Sequence, residues 1–164
     1  WPMSQMYVIG YDYTQSNVAI ADQVKTAIGN VLSSTGAAKV DIVTHSMGAL
    51  SSRYFLKNLG GSAQTDAWVS LAGPNHGTST ANFCGSVACL EMRPGSSFLT
   101  ELNAGDETPG TPRYGTWWSN CDLATMPQQS VILSGAANTQ TACLQHHQLY
   151  GDVTVYQQLR DWIK

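Results

Sequence analysis

Two hydrophobic rhythms alternate along the first half of the chain. Residues 6–13 (MYVIGYDY) are rich in β-branched and aromatic side chains and predict a buried strand. From 16 to 34 the apolar positions Ala21, Val24, Ile28, Val31 and Leu32 return at helical spacing, with Ser16 placed to cap the start and Gly36 to stop the helix. Residues 39–44 (KVDIVT) predict the next strand. His45-Ser46-Met47-Gly48 then turns the chain into a helix running to about Leu59 and closed by Gly60-Gly61. A third strand is predicted at 67–72 (AWVSLA), ended by Gly73-Pro74. Strands alternating with helices predict an α/β fold, a mostly parallel sheet with helices on both faces.

Residues 74–113 break this rhythm. They are rich in Gly, Pro, Ser and Asn, and hold one short predicted helix at 97–103. We read them as a long, partly irregular insertion over the sheet edge, within a single domain spanning 1–164. Two more strands are predicted at 114–118 and 130–134. A final helix is predicted at 153–163, with Asp152 as N-cap and Val155, Leu159, Trp162 and Ile163 as its buried stripe.

Charge narrows the partners. Only 12% of residues are charged, the formal net charge is -3, and no basic run is present, so a nucleic-acid partner is not expected. No apolar stretch approaches the roughly 20 residues needed to cross a bilayer, so stable membrane insertion is not expected either. The four cysteines, Cys84, Cys89, Cys121 and Cys143, do not repeat a zinc-binding spacing. No metal or cofactor is expected. Two disulfides and a secreted location are.

The chemistry centres on Thr44-His45-Ser46-Met47-Gly48. A serine at a sharp strand-to-helix turn is the context of a nucleophile elbow. The turn demands small residues two positions to either side, and its helix aims amides and a positive dipole end at a developing oxyanion. The backbone N–H of Met47 is the natural first oxyanion donor. Gly48 meets the size requirement; Thr44 is bulkier than the usual glycine.

A serine nucleophile needs a base, usually histidine. His45 precedes the serine and is expected to point away along the strand. His76, in Gly73-Pro74-Asn75-His76-Gly77, is a candidate to line the site. His146 and His147 lie between the last strand and the final helix, where the base of an α/β-hydrolase belongs, and the pattern does not separate them. Of the acids between serine and histidine, Asp122 is preferred. It follows the strand ending Trp117-Trp118 and so emerges at the C-terminal edge of the sheet. Four cysteines allow three pairings. Cys121–Cys143 is favoured because it ties the loop of Asp122 to the loop of His146, which leaves Cys84–Cys89 to close a small surface loop.

At this point the sequence resembles a known family, the small bacterial secreted class 2 lipases. The resemblance is carried by Val40 to Gly48 followed by Arg53-Tyr54, and by Leu71-Ala72-Gly73-Pro74-Asn75-His76-Gly77-Thr78. It continues in Trp117-Trp118-Ser119-Asn120-Cys121-Asp122 and in Leu133-Ser134-Gly135-Ala136 through Cys143 to His146. It covers essentially the whole chain. It implies an α/β-hydrolase fold and hydrolysis of carboxylic esters without metal or cofactor, with Ser46 as nucleophile, Asp122 as acid and His146 as base.

One departure stands out. Family members begin with an apolar strand and a His-Gly loop that supplies the second oxyanion amide, whereas this chain opens at Trp1-Pro2-Met3-Ser4. The resemblance therefore implies that the first strand is missing. The donor would then come from a longer protein of which this is a fragment, from the 74–113 insertion, or from a partner in a homo-oligomer covering the gap.

Trp117, Trp118, Phe83, Leu90, Met92, Phe98 and Leu99 are candidates to line an acyl pocket. The expected substrate is a small ester or lipid with a short-to-medium acyl chain. The alternatives are a hydrolase-like binding domain with impaired turnover, and an acyltransferase using the same triad.

Overall fold

A computed structural model describes residues 1–164. Four parallel strands form one sheet in the order β1 (Val40–His45), β2 (Thr65–Leu71), β3 (Arg113–Trp118) and β4 (Ala137–Gln140). Flanking helices are α1 (Asn17–Thr35), α2 (Gly48–Asn58), α3 (Val87–Glu91), α4 (Ser97–Asn103) and α5 (Val153–Ile163). This is the α/β-hydrolase type of architecture.

The pleat sorts β2 onto two faces. Trp68 packs with Ile20, Val24 and Ile28 of α1 and with Phe55 and Leu56 of α2. Ala67, Val69 and Leu71 point the other way, with Trp117, against Val155, Leu159 and Ile163 of α5. The strand is central and buried on both faces, so its sequence is almost continuously apolar. Trp68 is fully buried and its indole donates to Ser52 Oγ at 2.8 Å. Truncating such a residue to alanine costs about 3–5 kcal/mol.

Helix boundaries in α1 and α5 fall where the sequence indicates. Ser16 accepts from the Ala19 amide, and Gly36 closes α1 in the left-handed conformation, at φ 71°. Asp152 accepts from the amides of Thr154 and Val155 at the start of α5.

Two predicted strands are not strands. Residues 6–13 make no ladder with the sheet, and Tyr7 and Val8 are exposed. Only Ile9 and Tyr11 pack against the core. Strand preference describes side chains that suit a pleated surface; it does not supply a hydrogen-bonded neighbour. Residues 130–134 begin in a 3-10 turn (Gln128–Val131), where Val131 and Leu133 are buried as plugs. The fourth strand lies further on, in Ala137–Gln140, and its side chains are mostly exposed. As an edge strand it is held by backbone pairing to β3 and carries no apolar pattern. The 74–113 segment is also more ordered than expected, with a 3-10 turn (Ser79–Phe83) and α3 ahead of α4.

At the other edge, β1 pairs with β2 alone. Val43 is half exposed there, and a groove of about 920 Å³ runs beside the strand from Lys39 to Gly48.

Candidate active site

Three strand ends converge on the site. Ser46 follows β1 with φ 56°, a left-handed value seldom adopted by non-glycine residues. Its amide donates to Leu71 O at 2.9 Å, fixing the bend against the end of β2. Ala72, the residue after β2, repeats this conformation at φ 53°.

The size rule of the elbow can be tested directly. A Cβ on Gly48 would sit 3.2 Å from the Tyr11 hydroxyl and 3.7 Å from Thr44 Cβ. Thr44 is thus tolerated because its side chain turns onto the neighbouring strand, donating from Oγ1 to Val69 O at 2.8 Å. Gly73 is more tightly bound: a Cβ there would overlap Ala49 Cβ and Ser70 Oγ, directly beneath the elbow.

Ser46 Oγ lies 2.9 Å from Nε2 of His146, and Nδ1 of His146 lies 2.8 Å from Oδ2 of Asp122. The carboxylate can only accept from Nδ1–H. Nε2 is then bare and accepts from the serine hydroxyl. The Asp122 side chain is 2% exposed and that of His146 21%, so the carboxylate is sealed while the imidazole is open to solvent. Burial pushes the Asp122 carboxyl up, but bonds from His146 and from the amides of Ala124 and Thr125 outweigh it and hold it below its ordinary range.

Local chemistry explains these positions. Asp122 follows a short turn after β3, in which its amide donates to Ser119 O. His146 opens a 3-10 turn (His146–Gln148) in which the preceding Gln145 and the last residue, Gln148, cap each other reciprocally. Leu149, fully buried, anchors that turn in the core. The disulfides are Cys84–Cys89 and Cys121–Cys143. The second places a covalent tie one residue from Asp122 and three from His146.

Geometry separates the two histidines that the sequence pattern leaves equal. His147 is exposed, and its ring is not among the groups bonded to Ser46 or Asp122. Two of the other acids are engaged elsewhere: Asp66 pairs with Arg113, and Glu91 holds the start of α1 through Asn17.

Several proposed wall residues stand elsewhere. His76 is bound at Nε2 to Glu107 and at Nδ1 to Ser130 O, which ties it to the 107 loop and not to the Ser46 cluster. Trp117 is 1% exposed and donates to Gln158 of α5, so it is core and cannot wall a pocket. Phe98 and Leu99 are core as well. Phe83 projects into solvent at 92% exposure. Trp118 is half-buried at the end of β3.

Two further residues join the site, Ser119, which the sequence did not single out, and His45, which it placed elsewhere. Ser119 Oγ accepts from the amides of both Cys121 and Leu144, linking the loops that carry Asp122 and His146. His45, expected to point away, instead reaches the loop of His146: its Nε2 is 2.9 Å from His146 O. The only sequence signal for Ser119 is its place in Trp117-Trp118-Ser119-Asn120-Cys121, one turn before the acid.

The first oxyanion candidate, the Met47 amide, heads α2, where the first amides of a helix have no intrahelical partner. No group of three or more His, Cys, Asp or Glu side chains converges as a metal-binding set. No helix is long and apolar enough to cross a membrane. Taken as chemistry, a hydroxyl facing an oriented imidazole beside free helix amides can attack a carbonyl carbon and shelter the resulting oxyanion.

Comparison with known proteins bears on the family and the fold. The profile described as Lipase (class 2) matches residues 5–161. The fold is similar to that of Bacillus licheniformis lipase BlEst2 in its mature form, with a TM-score of 0.79 at 13% identity over 92% of this chain and 75% of that one. The propeptide form of the same lipase gives a TM-score of 0.73 at 14% identity, over 88% of this chain and 40% of that one. Aspergillus fumigatus lipase B gives 0.70 at 17% identity, over 83% of this chain and 39% of that one. The chain thus spans three quarters of the mature bacterial lipase but about two fifths of the two longer ones.

Proposed function

This chain belongs to the class 2 lipase family, and from that premise we propose that it hydrolyses carboxylic esters through an acyl-enzyme on Ser46. The observation that carries the reading is the continuous line Asp122–His146–Ser46, with both links under 3 Å.

His146 Nε2 takes the Ser46 proton as Oγ bonds to the ester carbonyl carbon. The carbonyl π electrons move to oxygen, and the Met47 amide donates to that oxyanion. Collapse expels the alkoxide, which leaves as an alcohol with the proton from His146. Water, deprotonated by His146 in turn, then splits the acyl-enzyme into acid and free serine. Asp122 holds the ring in the tautomer that each step requires and stabilises the imidazolium without taking its proton.

Short-to-medium acyl esters suit the site best. The helices over 74–113 are short, and α3 and α4 carry five and seven residues. Two disulfides and no free cysteine support an oxidising, extracellular setting.

Hydrolysis of a series of nitrophenyl esters of increasing acyl length, by the wild type and by Ser46→Ala, tests the proposal. Turnover of the shorter members that vanishes in Ser46→Ala is expected. Turnover confined to long chains would contradict the substrate class, and turnover surviving in Ser46→Ala would contradict the mechanism.

A further inference from the structure

His45 ends β1 one residue before Ser46, and its ring lies over the base loop. Nε2 is 2.9 Å from the carbonyl oxygen of His146. The two imidazole centroids are 4.6 Å apart, tilted by 50°. Tyr150 closes another side edge-to-face, at 4.8 Å. A carbonyl oxygen only accepts, so Nε2 of His45 carries the proton and Nδ1 is bare.

We propose that His45 is a positioning residue for the proposed reaction: its Nε2–H grips the backbone of His146 and keeps the base aligned between Asp122 and Ser46. The inference rests on the functional reading of those three residues and adds a fourth that the family match does not assign.

The need for such a grip follows from the chemistry. Once Ser46 Oγ is acylated it no longer offers a proton to Nε2, so one of the two bonds locating the His146 ring is lost midway. What remains is the bond to Asp122 and the course of the backbone. The other restraints on that backbone act to either side: the disulfide at Cys143, the Ser119 bond to Leu144, and buried Leu149. His45 acts at His146 itself. It belongs to the same strand end as the nucleophile, so the base is located relative to the atom it must serve. Burial also holds the His45 imidazole below its ordinary range, against the upward pull of the His146 carbonyl and of Asp122. It therefore stays neutral beside the imidazolium that forms on His146.

The test compares His45→Phe, which keeps an aromatic ring but no donor, with His45→Gln, whose amide N–H can stand near the Nε2 position. On a soluble nitrophenyl butyrate, His45→Phe should lower kcat about 10- to 100-fold while leaving KM within about twofold, as expected when misplacement rather than binding is at fault. Its reaction with a fluorophosphonate should slow to match. His45→Gln should recover most of the loss. Wild-type kcat in His45→Phe, a change in KM alone, or a Gln variant no better than Phe would overturn the proposal.

If His45→Phe does not fold, imidazole nitrogen NMR of the wild type decides. An Nε2–H tautomer at His45 is expected, and an Nδ1–H tautomer would overturn the contact. A wild type that neither turns over ester nor reacts with the phosphonate would refute the functional reading, while the tautomer would still report on the grip.

Discussion

Asp122 faces His146 with one oxygen only: Oδ2 lies 2.8 Å from Nδ1, while Oδ1 is held by the amides of Ala124 and Thr125 at 2.8 and 3.1 Å. The carboxylate is pinned at both oxygens and imposes a single tautomer on the ring. Asp122→Asn turns that acceptor into a group that can donate to Nδ1, which moves the ring proton to Nε2 and removes the acceptor for the serine. We predict a fall in kcat of about 10⁴-fold on a soluble ester in a variant that still folds. A loss of less than about tenfold would separate Asp122 from the reaction.

The same contacts predict a pH dependence of stability. In the folded chain the Asp122 pKa is lowered. Its contribution is then fully present above the unfolded carboxyl value of about 3.9 and is lost as pH falls through the folded value. Denaturant midpoints followed downward from pH 6 should drop more steeply below about pH 4 in the wild type than in Asp122→Asn. Parallel curves would show that these hydrogen bonds do not favour the charged form.

The two disulfides should differ in what their loss does. Cys121–Cys143 closes 22 residues and joins the acid and base loops, whereas Cys84–Cys89 closes 5 on the surface. Removing the first as a double alanine variant should cost about 3 kcal/mol of stability and lower kcat at temperatures where the chain is still folded. Removing the second should leave kcat near wild type. Equal effects on kcat would argue against the first bridge as a restraint on the site.

Ser46 is held at φ 56°. Ser46→Ala keeps the backbone strain and Ser46→Gly releases it, so both should abolish turnover while the glycine variant unfolds later, by about 1 kcal/mol. Calorimetry of the two inactive variants checks this. A glycine variant less stable than the alanine one would mean the bend carries no strain.

How far the sequence could be read follows from where each signal resides. The first and last helices were legible because caps and periodicity are local: Ser16, Gly36 and Asp152 stand at the ends they mark. The elbow was legible because its bend needs small residues at fixed spacing. Partnership was not legible. Residues 6–13 have strand chemistry but no ladder, while Ala137–Gln140 has a ladder and hardly any apolar residue. The aromatic count near the site misled for a related reason, since Trp117 faces α5 on the far side of the pleat. His45 was misjudged because strand alternation fixes the side from which a chain leaves the sheet, not where a long ring ends at the strand's last residue. The reach of His45 to a carbonyl 101 positions away exists only in the folded chain.

Reaction of the folded protein with a fluorophosphonate, followed by mass mapping of the adduct, tests the central claim most directly. The account predicts one adduct, on the peptide holding Ser46, absent in Ser46→Ala and strongly slowed in a His146→Ala variant. An unlabelled folded protein, or a label on any other residue, would contradict it.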